Sequence, residues 1–358
     1  MKNLFLLDPD FVFLNHGSFG ACPRPVFEEY RRLQRELERR PVEFLAPERR
    51  FAGLIDEARM TLAAYVGARP GNLAFATNTS AALNTAIRSL PLEAGDEVLL
   101  GDAEYGGLEI LWEHVASRTG ATLVRRPFDA LEPGPRTRVV FCSHVEWTTG
   151  RVNDLAPVVA AAREAGALAV VDGAHAPGQI DLDLEAIGAD VYAGNCHKWL
   201  CAPKGSAFLY ARPGVQELIE PAVISWDFVD GASFTDRHRW QGTRDPSAFL
   251  AVPAAIRFQA EHDWAAVRAR CHELLASLEL PYEPLTDDFV QMRGYALPAG
   301  TDGADLKRRL YEEHRIEVPI VETPSGWTMR VSVQAYNDEA DLAALARAAA
   351  RYEARRRT

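Results

Sequence analysis

The stretch ALAVVDGAHAPGQIDLDLEAIGADVYAGNCHKW, residues 167–199, contains the pattern that decides the fold. Two short apolar runs, ALAVVDGA and ADVYAGN, are each followed by polar residues. Neither run alternates strictly between apolar and polar positions, which indicates strands that are covered on both faces. Strands of this kind are typical of a mostly parallel sheet with helices on both of its sides.

The same pattern extends from about residue 70 to residue 215. The β-rich runs NLAFAT, DEVLLGD and TRVVFCSHV each precede an amphipathic helical run, and SAFLYA closes the series. ATLVRRPF is a candidate for a further strand of the same sheet. The sequence therefore predicts an α/β fold with a mostly parallel central sheet.

The two ends of the chain have a different character. After residue 250, the segments DWAAVRARCHELLASL, LKRRLYEEHR and DEADLAALARAAARYEARRR are typical of helices, and WTMRVSVQ is typical of a strand. We expect an N-terminal arm and helix at 1–50 that pack on the small domain, a large α/β domain at 51–250 and a small α+β domain at 251–358.

The composition is that of an ordinary globular protein, with 47% hydrophobic and 25% charged residues. A net charge of −11 argues against nucleic acid or an anionic membrane as the main partner. No apolar run reaches the length of a membrane span and the N-terminus lacks a secretory pattern, so we expect a cytoplasmic protein. The five cysteines lack metal-binding spacing, and we expect neither a metal site nor a disulfide framework.

Polar residues that follow the strands are candidate site residues, because ligands of open α/β sheets bind beyond the carboxyl ends of the strands. TNTSAALN, residues 77–84, follows one strand and begins a helix. Thr79 and Ser80 lie where that helix begins and could hold a phosphate at its positive end. Simple capping of the helix is the alternative. No GxxxxGK[ST] loop is present, so nucleoside triphosphate binding has no support.

Asp172 and His175 follow the run ALAVVD. A carboxylate at the end of a buried strand needs a cation or several donors to stay ionised, and a protonated ring nitrogen would serve. His175 lies at the same edge of the predicted sheet, and a hydrogen-bonded core histidine is the alternative interpretation.

Lys198 is one of only four lysines in the chain, and it lies 26 residues after Asp172. A lysine at a sheet edge beside apolar surface has its amine pKa lowered by desolvation and becomes a nucleophile. Most lysines lie in solvent instead, but this one is flanked by Asn195, His197 and Trp199. The sequence therefore makes Lys198 a candidate for covalent chemistry.

Two segments outside the predicted sheet are also candidates. RWQGTRDPSAF, residues 239–249, places Thr243 in a turn that could donate to a phosphate. RVSVQAYN, residues 330–337, starts a predicted strand with Arg330, whose guanidinium suits a carboxylate, although a surface arginine is the alternative.

Taken together, a nucleophilic lysine, a buried carboxylate, a hydroxyl-lined phosphate site and an arginine are the parts of a pyridoxal-phosphate (PLP) pocket. Their order resembles that of the class V aminotransferase family of fold type I enzymes, and in particular its isopenicillin N epimerase-like group. The resemblance extends over nearly the whole chain. Its markers are LNHGSFGACP, DGAHAPG, HKWLCAPKGSAFLY, GTRDPSAFLAVPAAI and RVSVQAYN.

This resemblance implies how the chain would hold the cofactor. Lys198 would bond to the cofactor aldehyde, and Asp172 would pair with the ring nitrogen. Tyr105 would stack on the ring, and His175 would lie near the ring oxygen. The phosphate would be held by Thr79, Ser80, Asn195 and His197, with Thr243 reaching the phosphate of the neighbouring subunit in a homodimer.

The resemblance also implies how a substrate would bind. Arg330 would bind an amino acid's carboxylate, and Asn15 and His16 would face the substrate. Trp147 stands where many members of the family have an asparagine, so the contact to the cofactor oxygen made there differs.

The expected activity is that of a PLP-dependent, epimerase-like enzyme that removes the α-proton from the amino-acid part of a small substrate. A lyase that cleaves cysteine conjugates or their sulfoxides is the alternative, and an aminotransferase is a third. The segment HRIEVPIVETPSGWTM has no cysteine, which disfavours persulfide-forming desulfuration. A non-catalytic binding protein is disfavoured because Lys198, Asp172 and Arg330 are intact. The residues expected to be catalytic are Lys198, Asp172, Tyr105 and His175.

Overall fold

The computed structural model describes residues 1–356 of the chain. Its strands are β1 (Val12–Phe13), β2 (Leu73–Ala76), β3 (Glu97–Gly101), β4 (Thr122–Arg126), β5 (Thr137–Ser143), β6 (Leu168–Asp172), β7 (Val191–Asn195), β8 (Ala207–Ala211), β9 (Glu283–Pro284), β10 (Met292–Ala296), β11 (Ile316–Glu317), β12 (Ile320–Thr323) and β13 (Gly326–Ser332). Its α-helices are α1 (His16–Phe19), α2 (Arg24–Arg39), α3 (Pro41–Leu45), α4 (Ala52–Tyr65), α5 (Thr79–Ile87), α6 (Gly106–Thr119), α7 (Leu155–Glu164), α8 (Leu184–Ile187), α9 (Phe234–Arg239), α10 (Ser247–Leu250), α11 (Val252–Glu261), α12 (Trp264–Ala276), α13 (Gly303–His314) and α14 (Glu339–Arg356). None of the helices in residues 1–356 combines the length and the hydropathy that a membrane span needs.

The main sheet has the strand order β2-β8-β7-β6-β5-β3-β4. The strands from β4 to β7 in this order run parallel to their neighbours, whereas β8 is antiparallel to both β7 and β2. The predicted α/β fold with a mostly parallel sheet is therefore confirmed, and ATLVRRPF supplies the edge strand β4.

Apolar cores cover both faces of the main sheet. In β8, Phe208 and Tyr210 pack into one core, and Leu209 and Ala211 pack into the other. Successive side chains of a strand point to opposite faces, so a strand that is buried on both sides has apolar residues at consecutive positions. This burial explains why the apolar runs in the sequence show no strict alternation.

The small sheet is antiparallel, with the order β12-β13-β10-β9. With helices α12 to α14 it encloses a third core that includes Leu275, Leu310 and Val331. Arg330 lies inside β13 rather than at the start of a strand. The terminal helix predicted to reach residue 357 is α14, and positions 357 and 358 lie outside the described residues. The boundary near residue 250 stays a prediction, since α11 packs into a core of the main sheet.

The N-terminal 50 residues contact both parts of the molecule. β1 pairs in parallel with β11, and Asn15 forms a bridge to Ser332, so the arm lies against the small sheet. The apolar stripe of α2 lies in a core that covers one face of the main sheet and also includes residues of α11, so the packing of this helix on the small domain stays a prediction. The residues of this stripe are Val26, Leu33 and Leu37.

The carboxyl ends of β5, β6 and β7 lie side by side, because Ser143, Asp172 and Ala193 are register neighbours. The arm approaches the same edge closely. A Cβ on Gly20 (φ 68°) would lie 2.0 Å from the backbone oxygen of His197, so only glycine permits this approach. The fold thus brings the arm, the edge of the main sheet and the small sheet around one cavity.

Candidate active site

A cavity of about 470 Å³ opens at the carboxyl edge of the main sheet. It collects residues from strands that are far apart in the sequence. Asn15, His16 and Thr243 do not line it. The predicted site residues that do line it are Thr79, Ser80, Tyr105, Asp172, His175, Asn195, His197, Lys198 and Arg330.

Lys198 lies in the turn after β7, and its half-buried side chain lines the cavity. Its Nζ lies 3.0 Å from Nε2 of His175. Burial lowers the pKa of the amine to about 7, with a contribution from the charge of Arg330, while Asp172 acts in the opposite direction. About half of the amine is therefore uncharged near neutral pH, and the uncharged form is the nucleophile and the base.

His175 contacts neighbours through both of its ring nitrogens. Nε2 faces the amine of Lys198, and Nδ1 accepts the indole N–H of Trp199 at 3.2 Å. Burial, together with the charges of Lys198 and Arg330, holds the pKa of the imidazole well below its ordinary value. His175 is therefore a neutral residue in direct contact with the candidate nucleophile.

Asp172 is the last residue of β6 and is buried. Its Oδ1 accepts a hydrogen bond from the backbone N–H of Ala174 at 2.8 Å. Burial raises the pKa of the carboxyl group, while this hydrogen bond and the charge of Lys198 oppose the rise. A carboxylate in this position gains from a bound cation, and a protonated ring nitrogen is one.

The N-terminus of α5 forms a candidate anion site. Asn78 caps this helix, its Oδ1 accepting the N–H of Ala81 at 2.7 Å. Thr79 donates its backbone N–H to Oδ1 of Asn195 at 2.9 Å, and its buried Oγ1 has no hydrogen-bond partner among the described residues. Capping is thus the role of Asn78, and the hydroxyl of Thr79 is available to a ligand.

Ser80 and His197 also line the cavity. Ser80 is exposed. Nδ1 of His197 lies 3.0 Å from the backbone oxygen of Ser206, which makes Nδ1 the donor to this carbonyl. Burial lowers the pKa of His197 to about 4, and a bound anion would raise it. A partnerless hydroxyl, a helix N-terminus and an imidazole together fit a phosphate group.

Arg330 extends from β13 into the cavity and is buried. Its Nη1 donates to the backbone oxygen of Trp147 at 2.7 Å, and its Nη2 donates to Oγ of Ser18 at 2.9 Å. Its buried Nε has no partner among the described residues, and burial lowers the pKa of the guanidinium to about 10. A buried cation whose contacts are neutral oxygens is suited to a carboxylate ligand, so the interpretation as a surface arginine is excluded.

Asn15 and His16 do not line the cavity, and the expectation that they face a substrate stays a prediction. The ring of His16 is fully buried behind Lys198, with Nδ1 at 2.9 Å from the Tyr336 hydroxyl and Nε2 at 3.1 Å from the backbone oxygen of Lys198. Burial lowers its pKa to about 3. Asn15 donates to Oε1 of Glu317 at 2.8 Å, because the pairing of β1 with β11 turns it toward the small sheet.

Tyr105 and Thr243 differ in their relation to the cavity. Tyr105 lines it, is 44% exposed and meets the ring of Trp147 edge to face at a centroid distance of 5.8 Å. Thr243 is exposed and lies outside the cavity of its own chain. A role for Thr243 at a neighbouring subunit stays a prediction.

Glu104, which the sequence patterns did not single out, is buried and contacts Ser143 of the cavity lining. Its two carboxyl oxygens contact the backbone N–H and the hydroxyl of Ser143 at 3.0 and 2.6 Å. Burial raises the pKa of Glu104 to about 8, so it is mainly protonated at neutral pH. The signal for it was present, because Glu104 follows β3 at the same edge of the main sheet as Asp172.

Metal-ligating side chains do not cluster in the described part of the chain. No group of three His, Cys, Asp or Glu residues there is arranged to hold a metal ion. All five cysteines are free, and Cys196 and Cys201 are buried in an apolar core. The chemistry of the cavity therefore depends on Lys198 and the polar residues around it.

Known proteins resemble this chain over most of its length. The sequence model of the family described as Aminotransferase class-V matches residues 23–280. Isopenicillin N epimerase from Streptomyces clavuligerus is 41% identical, over 96% of this chain and 96% of that protein. A probable chloroplastic L-cysteine desulfhydrase from Arabidopsis thaliana is 29% identical, over 93% of this chain and 81% of that protein.

Solved structures show the same fold. The complex of the cystine C-S lyase C-DES with its product cysteine persulfide matches with a TM-score of 0.84 and 24% identity, over 95% of this chain and 98% of that one. A C-DES mutant with glycine covalently linked to its PLP cofactor has a TM-score of 0.85 and 23% identity, over 98% and 99% of the two chains. The partnerless hydroxyl of Thr79, the buried carboxyl of Asp172 and the amine of Lys198 fit the phosphate, ring nitrogen and aldehyde of PLP. The chain is therefore a PLP-dependent enzyme that belongs to the aminotransferase class-V family.

Proposed function

We propose that this enzyme is isopenicillin N epimerase-like, removing the α-proton from the amino-acid part of a small substrate and returning a proton to the opposite face. The observation that carries the proposal is the placement of Lys198, Asp172 and Arg330 around one cavity. The likeness to isopenicillin N epimerase over 96% of both chains supports the same reaction class.

Substrate binding is the proposed role of Arg330. Its guanidinium donates to oxygens of Trp147 and Ser18, with Oδ1 of Asn15 at 3.5 Å, and because all three oxygens are neutral its charge is free to pair with a carboxylate. A bidentate pair with the α-carboxylate would fix the orientation of the α-carbon relative to Lys198. The arm contributes to this role, because Ser18 is also the donor to Oδ1 of Asn15 at 2.5 Å.

Lys198 is proposed to hold the cofactor first and then, as a free amine, to accept the α-proton. Its pKa of about 7 suits both roles near neutral pH. When bound, PLP supplies an electron sink for the charge that develops at the α-carbon. Asp172 would keep a proton on the ring nitrogen, and the phosphate would be held by Thr79, Ser80, Asn195 and His197.

Inversion needs a second acid–base group on the opposite face, and Tyr105 is the proposed one. Its side chain lines the cavity and is partly open to solvent, so its proton can exchange with water. His16 does not line the cavity, and its ring nitrogens contact the Tyr336 hydroxyl and the backbone oxygen of Lys198. The edge-to-face contact with Trp147 would hold the Tyr105 ring in place.

Incubation of the purified enzyme with amino acids and small peptide derivatives in deuterated water tests this function. The expected result is deuterium at the α-carbon together with inversion of its configuration. Lys198→Ala should abolish the exchange, whereas Lys204→Ala, which replaces the lysine of the neighbouring turn, should retain it. Deuterium uptake without inversion for every substrate would refute the epimerase assignment.

A C–S lyase that acts on cysteine conjugates or sulfoxides is the second candidate. The 29% identity to a probable L-cysteine desulfhydrase over 93% of this chain favours it. None of the five cysteines lines the cavity, so the chain offers no thiol there to carry a persulfide. Release of pyruvate and ammonia from cysteine conjugates would support the lyase, and keto-acid formation that requires an amino acceptor would support an aminotransferase.

We also propose a cytoplasmic homodimer in which Thr243 reaches the phosphate site of the neighbouring subunit. The apolar side chains of Ile224, Trp226 and Val229 are 56%, 86% and 63% exposed, and surfaces of this kind are typical of protein interfaces. Mixing Lys198→Ala with Thr243→Ala subunits tests the arrangement, because a mixed dimer would then contain one intact site. Failure of the mixture to recover activity would refute the shared site.

A further inference from the structure

Trp199, His175 and Lys198 form a buried row of hydrogen-bonding side chains. The indole N–H of Trp199 donates to Nδ1 of His175 at 3.2 Å, and Nε2 of His175 lies 3.0 Å from Nζ of Lys198. The backbone at Trp199 is tightly held, since a Cβ on Gly178 (φ 89°) would lie 2.3 Å from its carbonyl carbon. The ring of His16 packs against the indole at a centroid distance of 4.9 Å.

This row determines where the proton of His175 lies. An indole nitrogen only donates, so Nδ1 of His175 must present its lone pair to Trp199. A neutral imidazole carries one proton, which is then on Nε2. Nε2 consequently donates toward Lys198, and the amine accepts this hydrogen bond in its uncharged form.

We propose that Trp199 is a positioning residue, whose indole N–H fixes the proton of His175 on Nε2, so that His175 donates to the Lys198 amine and does not act as a base on the cavity side. An ammonium group on Lys198 would meet an N–H donor instead of a lone pair, which favours the uncharged amine. The row therefore prepares Lys198 for reaction and argues against His175 as the second acid–base group.

The other ionisable groups around Lys198 make no hydrogen bond to the indole N–H of Trp199. Arg330 lowers the pKa of the amine through its charge, and Asp172 raises it. His16 contacts the backbone oxygen of Lys198 and His197 precedes it, and burial lowers their pKa values to about 3 and about 4, so both are neutral near pH 7. A change that follows the loss of the indole N–H thus reports on His175.

This inference goes beyond the proposed function, since it holds whether the enzyme epimerises or eliminates. It concerns the state of the amine before any substrate binds. Measurements on the cofactor-free protein therefore test it without turnover, and they keep its failure separate from a failure of the epimerase assignment.

The first experiment reads the proton position by ¹H–¹⁵N NMR of cofactor-free protein labelled with ¹⁵N-histidine. His175→Gln identifies the His175 signals by their loss. In the wild type, Nε2 of His175 should be protonated and Nδ1 should not. Trp199→Phe should shift the population toward the Nδ1-protonated form. The matched control is Trp264→Phe, which removes another buried indole N–H, the one that donates to the Gly178 backbone oxygen at 3.1 Å. This variant should leave the His175 proton on Nε2.

The second experiment measures the reactivity of Lys198 against pH in the same cofactor-free proteins. Reductive methylation with formaldehyde and borohydride, quantified at Lys198 by peptide mass spectrometry, gives the pKa of the amine. In Trp199→Phe, Nε2 of His175 becomes free to accept a proton from an ammonium group, so the pKa should rise by about one unit, which is a tenfold smaller uncharged fraction below the pKa. Trp264→Phe should keep the wild-type value.

Two results would overturn the proposal. One is an Nδ1-protonated His175 in the wild type, a measurement that stands even if Trp199→Phe fails to fold. The other is a folded Trp199→Phe protein in which the tautomer and the Lys198 pKa equal those of the wild type.

Discussion

Glu104→Gln should change how the stability of this protein depends on pH. In the folded chain, Glu104 is buried and receives its polar contacts from Ser143, one from the backbone N–H and one from the hydroxyl. Glutamine has the same shape, accepts the N–H through its oxygen and donates to the hydroxyl through its amide nitrogen. The substitution therefore imitates the protonated acid and removes only its ability to ionise.

The magnitude follows from the pKa of Glu104, which burial raises from 4.5 to about 8, with a further contribution from the charge of Asp172. At 1.36 kcal/mol per pKa unit, ionising this group costs up to about 5 kcal/mol more in the folded state than in the unfolded chain. The folded protein keeps the proton over a pH range in which the unfolded chain has lost it. The free energy of unfolding of the wild type should therefore fall between about pH 4.5 and pH 8, and this part of the fall should be absent in Glu104→Gln.

Urea unfolding of cofactor-free protein at a series of pH values between 5 and 8.5 measures this effect. The two proteins should be about equally stable near pH 5, and the variant should become more stable than the wild type by a few kcal/mol near pH 8. Glu113→Gln, which removes an exposed carboxylate beside Arg125, is the control and should follow the wild type. Parallel curves for wild type and Glu104→Gln would refute the argument that burial keeps this carboxyl group protonated.

Three further predictions concern the cavity. Thr79→Val removes a partnerless buried hydroxyl, so thermal unfolding of the cofactor-free protein should show no loss of stability. A fluorescence titration should give a roughly tenfold higher Kd for PLP. An unchanged Kd would contradict the proposed contact between Thr79 and the phosphate. Arg330→Lys keeps the charge but loses the bidentate geometry, so KM for the amino acid should rise about tenfold or more while the affinity for PLP stays the same. An unchanged KM would exclude carboxylate binding by Arg330. Tyr105→Phe should retain deuterium exchange at the α-carbon but lower the rate of inversion by about a hundredfold or more in a chiral assay. An equal loss of exchange and inversion would argue against the proposal that Tyr105 acts on only one face of the α-carbon.

The core of the site could be predicted because it depends on a simple property of parallel sheets. Asp172 ends β6 and Lys198 follows β7, and neighbouring parallel strands place their carboxyl ends together. Thr79 begins α5 after β2, at the same edge. Local sequence therefore carried enough information to place these three residues in one cavity.

Other residues depend on contacts that no local pattern encodes. His16 lies behind Lys198 because the arm pairs with β11, some 300 residues away in the chain, and Gly20 then lets it pass over the His197 carbonyl. The hydrogen bond from Trp199 to His175 depends on the direction of an indole ring in a buried core. Sequence patterns give periodicity and strand ends, but they do not give the direction of individual buried side chains.

The contacts of Arg330 have a consequence for the order in which the protein is made. Trp147 and Ser18, which hold its guanidinium, lie 183 and 312 positions earlier in the chain. The main sheet, with the edge that carries Lys198, is complete in sequence at Ala211, about 120 residues before Arg330 is synthesised. The lysine proposed to hold the cofactor is thus encoded well upstream of the arginine proposed to bind an amino acid. On the ribosome, the proposed carboxylate site is complete only after β13 has been synthesised.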